Sequence, residues 1–269
     1  MDEVFRLEGV GFSYAGRPAL KGVGFAVRQG DSLAVLGANG SGKSTLLKIL
    51  DGLVFPEAGS VTFAGQPLVE AALQGAFQRS FRSRVGFVFA EPDSQLFCPT
   101  VREELSFGPL QLGMKPQDVQ KRVSELLEML GITALGDRAP YTLSGGEKKK
   151  AAIGAVLAVN PEVLLLDEPT NGLDPRTQVW LYELLEALKG AGKTIIMATH
   201  DLSLVQDLSD RAIVLGEDHS IAADRPALEA LRDKDLLLRA NIIHEHAHRH
   251  GDIIHRHSHG PYSIHDEHD

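Results

Sequence analysis

A glycine-rich run that ends in a lysine and two hydroxyl residues has the spacing of a phosphate-binding loop. The run fits the pattern G-x-x-x-x-G-K-[ST] and follows an apolar, strand-like segment at residues 32–36. Its members are Gly37, Ala38, Asn39, Gly40, Ser41, Gly42, Lys43, Ser44 and Thr45. Backbone N–H groups of such a loop, together with the positive end of the following helix, bind phosphate oxygens. We therefore predict a nucleotide site in which Lys43 contacts the β- and γ-phosphates and the Ser44 hydroxyl binds Mg²⁺.

Two carboxylates and a histidine follow later strands, at places where they could act on the same nucleotide. Asp167 and Glu168 end the apolar run Val163 to Leu166, which is typical of a buried parallel strand. Because ligands of parallel sheets lie beyond the C-terminal strand ends, Asp167 is predicted to hold Mg²⁺ through water, and Glu168 to orient or deprotonate the attacking water. His200 follows the next predicted strand and is expected to hydrogen-bond the γ-phosphate. The alternatives are a helix cap or turn for the carboxylates and a structural role for the histidine.

The composition predicts a globular chain with a core of its own. The 269 residues are 43% hydrophobic and include one cysteine, Cys98, which excludes an internal disulfide. No apolar run approaches the roughly eighteen residues of a membrane span, and the N-terminus lacks the pattern of a secretion signal, so a reducing cytoplasm is expected. The formal charge of −9 argues against nucleic-acid binding by the whole surface. The triplet Lys148 to Lys150 is either a local basic patch or a solvated helix face.

The first third of the chain is predicted to be rich in strands. Glycines punctuate apolar and aromatic positions over residues 3–36, which favours short antiparallel strands separated by turns. A helix is expected to follow Lys43 and to end near Asp51, and a hairpin is expected over residues 59–65.

The remainder is predicted to be helical first and then alternating. The pattern becomes helical between Pro109 and Leu157, with helices that begin at Pro116 and Ser144. Strands and helices then alternate, which indicates parallel β-α-β units. They are predicted at residues 163–167, 176–189, 194–199, 202–208 and 212–215. The expected fold is α/β: a P-loop nucleotide-binding core with a parallel sheet, an antiparallel β-layer and an inserted helical subdomain.

These motifs, in this order, resemble the ATP-binding cassette ATPases. The resemblance covers about residues 3 to 217 and includes the run Leu143-Ser144-Gly145-Gly146-Glu147 and the loop Gly172-Leu173-Asp174. It implies two cassettes packed head to tail, most simply as a homodimer, in which Ser144, Gly145 and Gly146 bind the γ-phosphate of the partner's ATP. A serine hydroxyl, two small residues and a helix N-terminus make physical sense as a second anion site.

The same resemblance assigns two further residues to the nucleotide. Tyr14 corresponds to the aromatic residue that stacks on adenine, and its alternative is a strand aromatic packed in the core. Asp174 lies in the acidic loop expected near the nucleotide. The implied domain boundaries are a cassette at 1–217, with a helical subdomain at about 90–158, a C-terminal extension at 218–243 and a His-rich tail at 244–269.

A narrower resemblance links the segment 85–109 to the ATPase subunits of energy-coupling-factor importers, which take up vitamins or transition-metal ions. It implies integral membrane transport subunits as partners and a position at the cytoplasmic face of the membrane.

Two positions depart from the family pattern, Ala90 and Glu147, where the family usually has glutamine. Alanine supplies no amide oxygen near Mg²⁺ and the attacking water, so weaker hydrolysis is expected. Glu147 is interpreted as an acid that favours a helix N-terminus, with a carboxylate close to phosphate as the alternative.

Nine of the eleven histidines lie between His244 and His268, a density that no protein core requires. The predicted transition-metal ligands are His244, His246, His248, His250, His255, His257 and His259. Neutral imidazoles suit Ni²⁺ and Co²⁺, and with the importer resemblance the tail favours cobalt or nickel as cargo. A polar tail with incidental metal affinity is the alternative. A vitamin importer and a metal-sensing regulatory cassette remain alternative functions, and a cassette acting on nucleic acid or ribosomes is disfavoured.

Overall fold

A computed structural model describes residues 2–250 and 253–259, and within 244–259 it describes the backbone. Three sheets lie in this part of the chain. The first is antiparallel, in the order β2-β1-β4-β5. Its strands are β1 (Glu3–Tyr14), β2 (Arg17–Arg28), β4 (Ala58–Phe63) and β5 (Gln66–Pro67). The predicted antiparallel layer and the predicted hairpin near residues 59–65 are therefore confirmed.

The prediction of several short strands over residues 3–36 is wrong. The structure has two strands of 12 residues each before the third strand begins. Their pairing shifts register between Leu7 and Val10, around Gly9 in a left-handed conformation. Because a bulge adds one residue without ending a strand, Gly9 marks a bulge, whereas Gly16 and Gly30 lie in the turns that join the strands.

The second sheet has six strands in the order β10-β9-β3-β8-β7-β6. Its strands are β3 (Ser32–Leu36), β6 (Val85–Val88), β7 (Val163–Asp167), β8 (Thr194–Ala198), β9 (Arg211–Leu215) and β10 (Ile221–Pro226). All neighbours pair in parallel except β10, which is antiparallel to β9. The sheet confirms the predicted α/β fold and gathers the ends of β3, β6, β7 and β8 at one edge.

Helices connect these strands and cover the parallel sheet. They are α1 (Lys43–Leu50), α2 (Gly75–Arg84), α3 (Val101–Gln111), α4 (Pro116–Met129), α5 (Gly145–Leu157), α6 (Pro175–Gly190), α7 (Leu202–Leu208), α8 (Ala227–Arg232) and α9 (Lys234–Arg239). Helix α3 begins before Pro109, which lies inside it. A proline inside a helix removes a backbone donor, and for that reason the sequence pattern placed the helical region too late.

Two large apolar clusters lie on opposite sides of the parallel sheet. One joins the antiparallel sheet and α1 to residues such as Val35 and Leu165. The other joins α3, α4, α5 and α6 to Leu164, Leu166 and Met197. Alternate residues of β7 therefore face the two clusters, as expected for a strand buried on both sides. None of the helices in the described part is long and apolar enough to cross a membrane.

The chain continues past α9 into two antiparallel strands, β11 (His244–His250) and β12 (Ile253–His259). Residues just before them are packed. Leu236, Ala240 and Ile243 are buried, and the Asn241 side chain donates a 2.9 Å hydrogen bond to Glu217. The hairpin therefore follows the folded core without an intervening linker.

Candidate functional site

The phosphate loop lies at the C-terminal end of β3 and leads directly into α1. Gly42 precedes the helix with a φ of 110°, and a Cβ atom there would overlap the carbonyl oxygen of Ala19. Only glycine fits this position, because both the conformation and the space exclude a side chain. The first backbone N–H groups of α1 have no partner within the helix, which is the feature that lets a helix start bind phosphate.

A hydroxyl and a carboxylate meet at the start of α1. The Ser44 hydroxyl donates a 3.0 Å hydrogen bond to Oδ1 of Asp167, at the end of β7. Burial raises the pKa of Asp167, and the hydrogen bond from Ser44 opposes that shift. A serine hydroxyl beside a carboxylate is an oxygen ligand set suited to Mg²⁺, so these residues fit the predicted metal.

Glu168 joins the phosphate-loop lysine to the predicted switch histidine. Its Oε1 lies 3.6 Å from Nζ of Lys43, and its Oε2 lies 2.7 Å from Nδ1 of His200. Lys43 also donates hydrogen bonds to the carbonyl oxygens of Gly37 (2.9 Å) and Ala38 (3.3 Å). The backbone of Glu168 has a φ of 42°, unusual for a non-glycine residue, and such strain concentrates at functional sites. Because β7 and β8 are neighbours, the sheet brings His200 to Glu168, as the functional interpretation of the histidine required.

A cleft of about 430 Å³ opens beside the phosphate loop. It is lined by Tyr14, Arg17, Pro18, Ala19, Asn39, Gly40, Gly42, Lys43, Ser44, Thr45 and Glu168. The Tyr14 ring is 45% exposed, so it is not the packed core aromatic that was the alternative. It contacts Phe12 edge to face, with ring centroids 4.9 Å apart.

The Ser41 hydroxyl is buried without a hydrogen-bond partner among the described residues. A phosphate oxygen would satisfy it, which fits a nucleotide at this loop.

The run Leu143 to Glu147 lies elsewhere and does not line this cleft. Ser144 caps α5, and the Glu147 carboxylate accepts hydrogen bonds from the Ser144 backbone N–H (2.8 Å) and hydroxyl (2.9 Å). The backbone hydrogen bond is the main cause that lowers the pKa of Glu147. The capping box agrees with the interpretation of Glu147 as an acid that stabilises a helix start. In the single chain, the Ser144 hydroxyl is therefore occupied by its own helix.

Asp174 caps α6, and its expected position near the nucleotide stays a prediction. Its Oδ1 accepts from the backbone N–H groups of Arg176 and Thr177, and its Oδ2 accepts from the Thr177 hydroxyl at 2.7 Å. Asp174 is absent from the cleft lining. The first turn of α6 lies against the start of α5, since a Cβ atom on Gly146 would come within 2.9 Å of the Thr177 hydroxyl oxygen, and the preceding loop is near it, with the Gly172 carbonyl oxygen 4.0 Å from a Cβ atom on Gly145. An aspartate followed by a proline is an ordinary helix-start signal, and the structure has Asp174 in that role.

Lys149 is a residue near the site that the sequence analysis missed. It is 1% exposed, and its ammonium donates hydrogen bonds to the carbonyl oxygens of Phe89 (3.3 Å) and Ala90 (2.9 Å). Burial lowers its pKa, while Glu91, Asp167 and Glu168 act in the opposite direction. Helical spacing in the sequence could have identified Lys149 as buried, because residues 152, 153 and 156 share its side of α5 and are also buried.

The other two lysines of the triplet also have partners. Lys148 lies 2.7 Å from a carboxylate oxygen of Asp93, and the Lys150 ammonium lies 4.6 Å from the ring centroid of Trp180. Burial of Lys149 contradicts the interpretation of the triplet as a solvated helix face, and the other two lysines are half-buried beside their partners.

The predicted transition-metal ligands lie in the last two strands, and their side chains are outside the described residues. In the part of the chain whose side chains are described, no group of three or more histidine, cysteine or acidic residues is placed to hold a metal ion. Ser44 and Asp167 stay the residues predicted to hold Mg²⁺ in the cassette itself.

Comparisons with known proteins agree with this geometry. A family model described as ABC transporter matches residues 20–171. The nickel import ATP-binding protein of Rhodobacter capsulatus is 48% identical, over 90% of this chain and 97% of that protein. The energy-coupling factor transporter ATP-binding protein of Methanothermobacter thermautotrophicus is 42% identical, over 89% of this chain and 76% of that protein.

Two solved structures share the fold. One is cbiO1 from Clostridium perfringens, described as part of the ABC transporter complex cbiONQ, with 33% identity, a TM-score of 0.74 and coverage of 90% of this chain and 96% of that one. The other is a dimeric ATP-binding cassette in a post-hydrolysis state bound to ADP and phosphate, with 28% identity, a TM-score of 0.73 and coverage of 83% and 98%. The chain therefore belongs to the ABC transporter family, as an ATPase whose hydrolysis of ATP is coupled to transport.

Proposed function

We propose that the chain is the ATPase subunit of an importer for a transition-metal ion, nickel or cobalt, and that it drives a separate membrane subunit. The observation that carries the proposal is the division of the site: phosphate-loop residues and Glu168 line the cleft and Asp167 is hydrogen-bonded to Ser44 there, whereas the Ser144 helix start lies outside it. This division supports a motor that works through a second copy. The likeness to a nickel import ATP-binding protein supports the metal cargo.

Within one cleft, each residue has its own role in binding or hydrolysing ATP. The phosphate-loop N–H groups and Lys43 hold the β- and γ-phosphates of ATP, and Tyr14 supports the adenine. Ser44 and Asp167 hold Mg²⁺, which when bound neutralises charge on the phosphates. Glu168 accepts a proton from the attacking water, and His200, held by Glu168, contacts the γ-phosphate.

The second half of each site comes from a second copy of the chain. Ser144, Gly145 and Gly146 are exposed or half-buried at a helix start, and they lie against the Asp174 loop. A symmetric dimer would bring this helix start to the partner's cleft and form two equivalent sites. Ser144 must then exchange its hydrogen bond to Glu147 for one to phosphate. The cassette boundaries at 1–217 and the helical subdomain at about 90–158 remain part of this proposal.

A membrane partner is supported by an aromatic pair outside the cleft. Phe97 and Phe107 are 66% and 43% exposed, and their rings meet edge to face at 4.9 Å. Large exposed apolar groups that adjoin one another mark interaction surfaces. They lie in the segment that resembles the importer ATPases, so we place the coupling helices of the integral membrane subunit there, at the cytoplasmic face of the membrane.

A vitamin importer is the second candidate, because the likeness to an energy-coupling factor ATPase does not distinguish the cargo. A metal-sensing regulatory cassette is the third, favoured by alanine at position 90. Nucleic acid is not expected as a partner, since each lysine of the 148–150 triplet already has a partner.

The test is purification of the native complex from membranes, followed by transport in proteoliposomes. We expect a polytopic membrane subunit to co-purify, and ATP-dependent uptake of ⁶³Ni²⁺ or ⁵⁷Co²⁺ that the Glu168→Gln variant lacks. Uptake of a vitamin without metal uptake would select the second candidate. Stable metal binding without any membrane partner would select the third, and co-purified RNA would overturn all three.

A further inference from the structure

The backbone of the last two strands places histidines directly opposite one another. The register pairs His244 with His259, His246 with His257, and His248 with His255. The other pairs of the hairpin contain no histidine except His250, which is opposite Ile253. Three cross-strand histidine pairs therefore follow one another at every second position.

The spacing puts all three pairs on one face of the hairpin. Successive residues of a strand alternate between faces, and directly opposite residues of an antiparallel pair share a face. The opposite face belongs to the intervening pairs, Glu245 with Ser258, Ala247 with Arg256, and Arg249 with Ile254. A shift of register by one residue would place the histidines of the two strands on different faces.

The sequence between and within the two strands agrees with this register. The two strands are separated by two residues, Gly251 and Asp252, and Gly-Asp is a dipeptide typical of a two-residue hairpin connection. The length of such a connection fixes which residues pair. Histidines alternate with other residues in both strands, as a one-faced arrangement requires.

We propose that the face that contains these six paired histidines, together with the unpaired His250, is a transition-metal site whose ligand unit is the cross-strand pair. Directly opposite Cβ atoms in such a pair are about 4.5–5.5 Å apart, a separation at which two imidazoles can share one ion. Imidazole suits Ni²⁺, Co²⁺, Cu²⁺ and Zn²⁺, and these ions accept further ligands from water or from a neighbouring pair. Each ion bound across the strands also holds the two strands together.

The histidine hairpin follows the folded cassette directly along the chain. Ile243, the residue before β11, is buried in the folded chain, so the metal site begins where the core ends. The metal site itself depends on the register alone. Its role in receiving or sensing the cargo rests on the proposed function.

The experiment compares two variants that each lack two histidines. His246→Ala with His257→Ala removes one complete pair and leaves two, whereas His244→Ala with His255→Ala breaks both outer pairs and leaves one. The full chain is dialysed against Ni²⁺ alone and against Co²⁺ alone, without ATP or membrane subunits, and bound metal is measured by mass spectrometry. Glu245→Ala with Ser258→Ala, on the opposite face, is the matched control.

With the cross-strand pair as the ligand unit, the first variant loses about one third of the tightly bound metal, the second about two thirds, and the control none. Equal losses in the two histidine variants would show that metal follows histidine number and not register, which overturns the proposal. Absence of metal from the unaltered chain would overturn it as well. Both outcomes concern metal binding by the chain alone and not transport by the complex. The metal-site proposal can therefore fail while the proposed transport function stands.

Discussion

Nδ1 of His200 lies 2.7 Å from Oε2 of Glu168, although 32 residues separate them along the chain. The adjacent parallel strands β7 and β8 end side by side and produce this contact. The other oxygen of the same carboxylate lies 3.6 Å from the ammonium of Lys43. Glu168 is thus the one carboxylate in contact with both the phosphate-loop lysine and the histidine, among the residues that the structure describes.

Glu168→Gln is expected to lower ATP turnover by about 10²–10⁴-fold, because an amide cannot accept the proton of the attacking water. ATP binding should persist, since the phosphate loop and Ser44 are unchanged. Turnover and nucleotide affinity of the purified chain check this. Glu162→Gln, which removes a carboxylate paired with Arg84 outside the cleft, is the control. Turnover at the unaltered level in Glu168→Gln would exclude Glu168 as the base.

Ala90→Gln is expected to raise ATP turnover about 2- to 10-fold, the worth of one ordinary hydrogen bond. Position 90 lies two residues beyond Val88, which pairs with Leu166, so it is at the same sheet edge as Glu168. A glutamine there would add an amide oxygen near Mg²⁺ and the attacking water. Ala90→Leu adds volume without the amide and serves as the control. Unchanged or lower turnover in matched preparations would contradict this explanation.

Glu147→Gln is expected to tighten ATP-dependent dimerisation. The amide oxygen can still accept from the Ser144 backbone N–H, so the helix cap is retained at a cost of less than about 1 kcal/mol. Removal of a negative charge beside the partner's phosphate favours closure, and more so at low salt. Sedimentation equilibrium with ATP in a Glu168→Gln background measures the effect, with Glu147→Asp as the charge-retaining control. A dimer no tighter than the control at any salt concentration would disprove the proposed position of Ser144 at the partner's phosphate.

Asp51→Asn is expected to change the pH dependence of stability. Burial raises the pKa of Asp51 to about 6 from 3.8, against the opposing effect of Arg82 at 2.9 Å. Because the folded chain keeps this proton longer than the unfolded chain, the stability of the protein falls as pH rises from about 4 to 6. The Asp51→Asn variant has no carboxyl group at this position to ionise, so this fall in stability is absent from it.

The free energy of unfolding of Asp51→Asn, relative to the unaltered chain, should therefore increase between pH 4.5 and 7. The change is at most about 3 kcal/mol, from the shift in pKa. Urea denaturation at several pH values measures it. A relative stability that decreases with pH would show that pairing with Arg82 outweighs burial.

The sequence predicted the structure best where a short motif is compatible with only one local backbone arrangement. The phosphate loop, the apolar run before Asp167 and the helix start at Ser144 depend on local backbone chemistry, and all three were placed correctly. The start of α3 was missed because Pro109 masked the capping box of Thr100 and Glu103, which is itself a sequence signal. Lys149 was missed because its charge suggested the surface, whereas its helical position dictated burial. The Glu168–His200 contact depended on strand order, which no local pattern contains.

The hydrogen bonds of Lys149 to Phe89 and Ala90 have a mechanical consequence. They attach the helix whose first residues would serve the partner's ATP to the end of β6, beside the chain's own cleft. In a dimer, the start of α5 would thus lie at one nucleotide site and the end of β6 at the other, and the two would move together. Positive cooperativity between the two ATP molecules would then originate inside each chain, through contacts that include the buried Lys149 ammonium, as much as at the dimer interface.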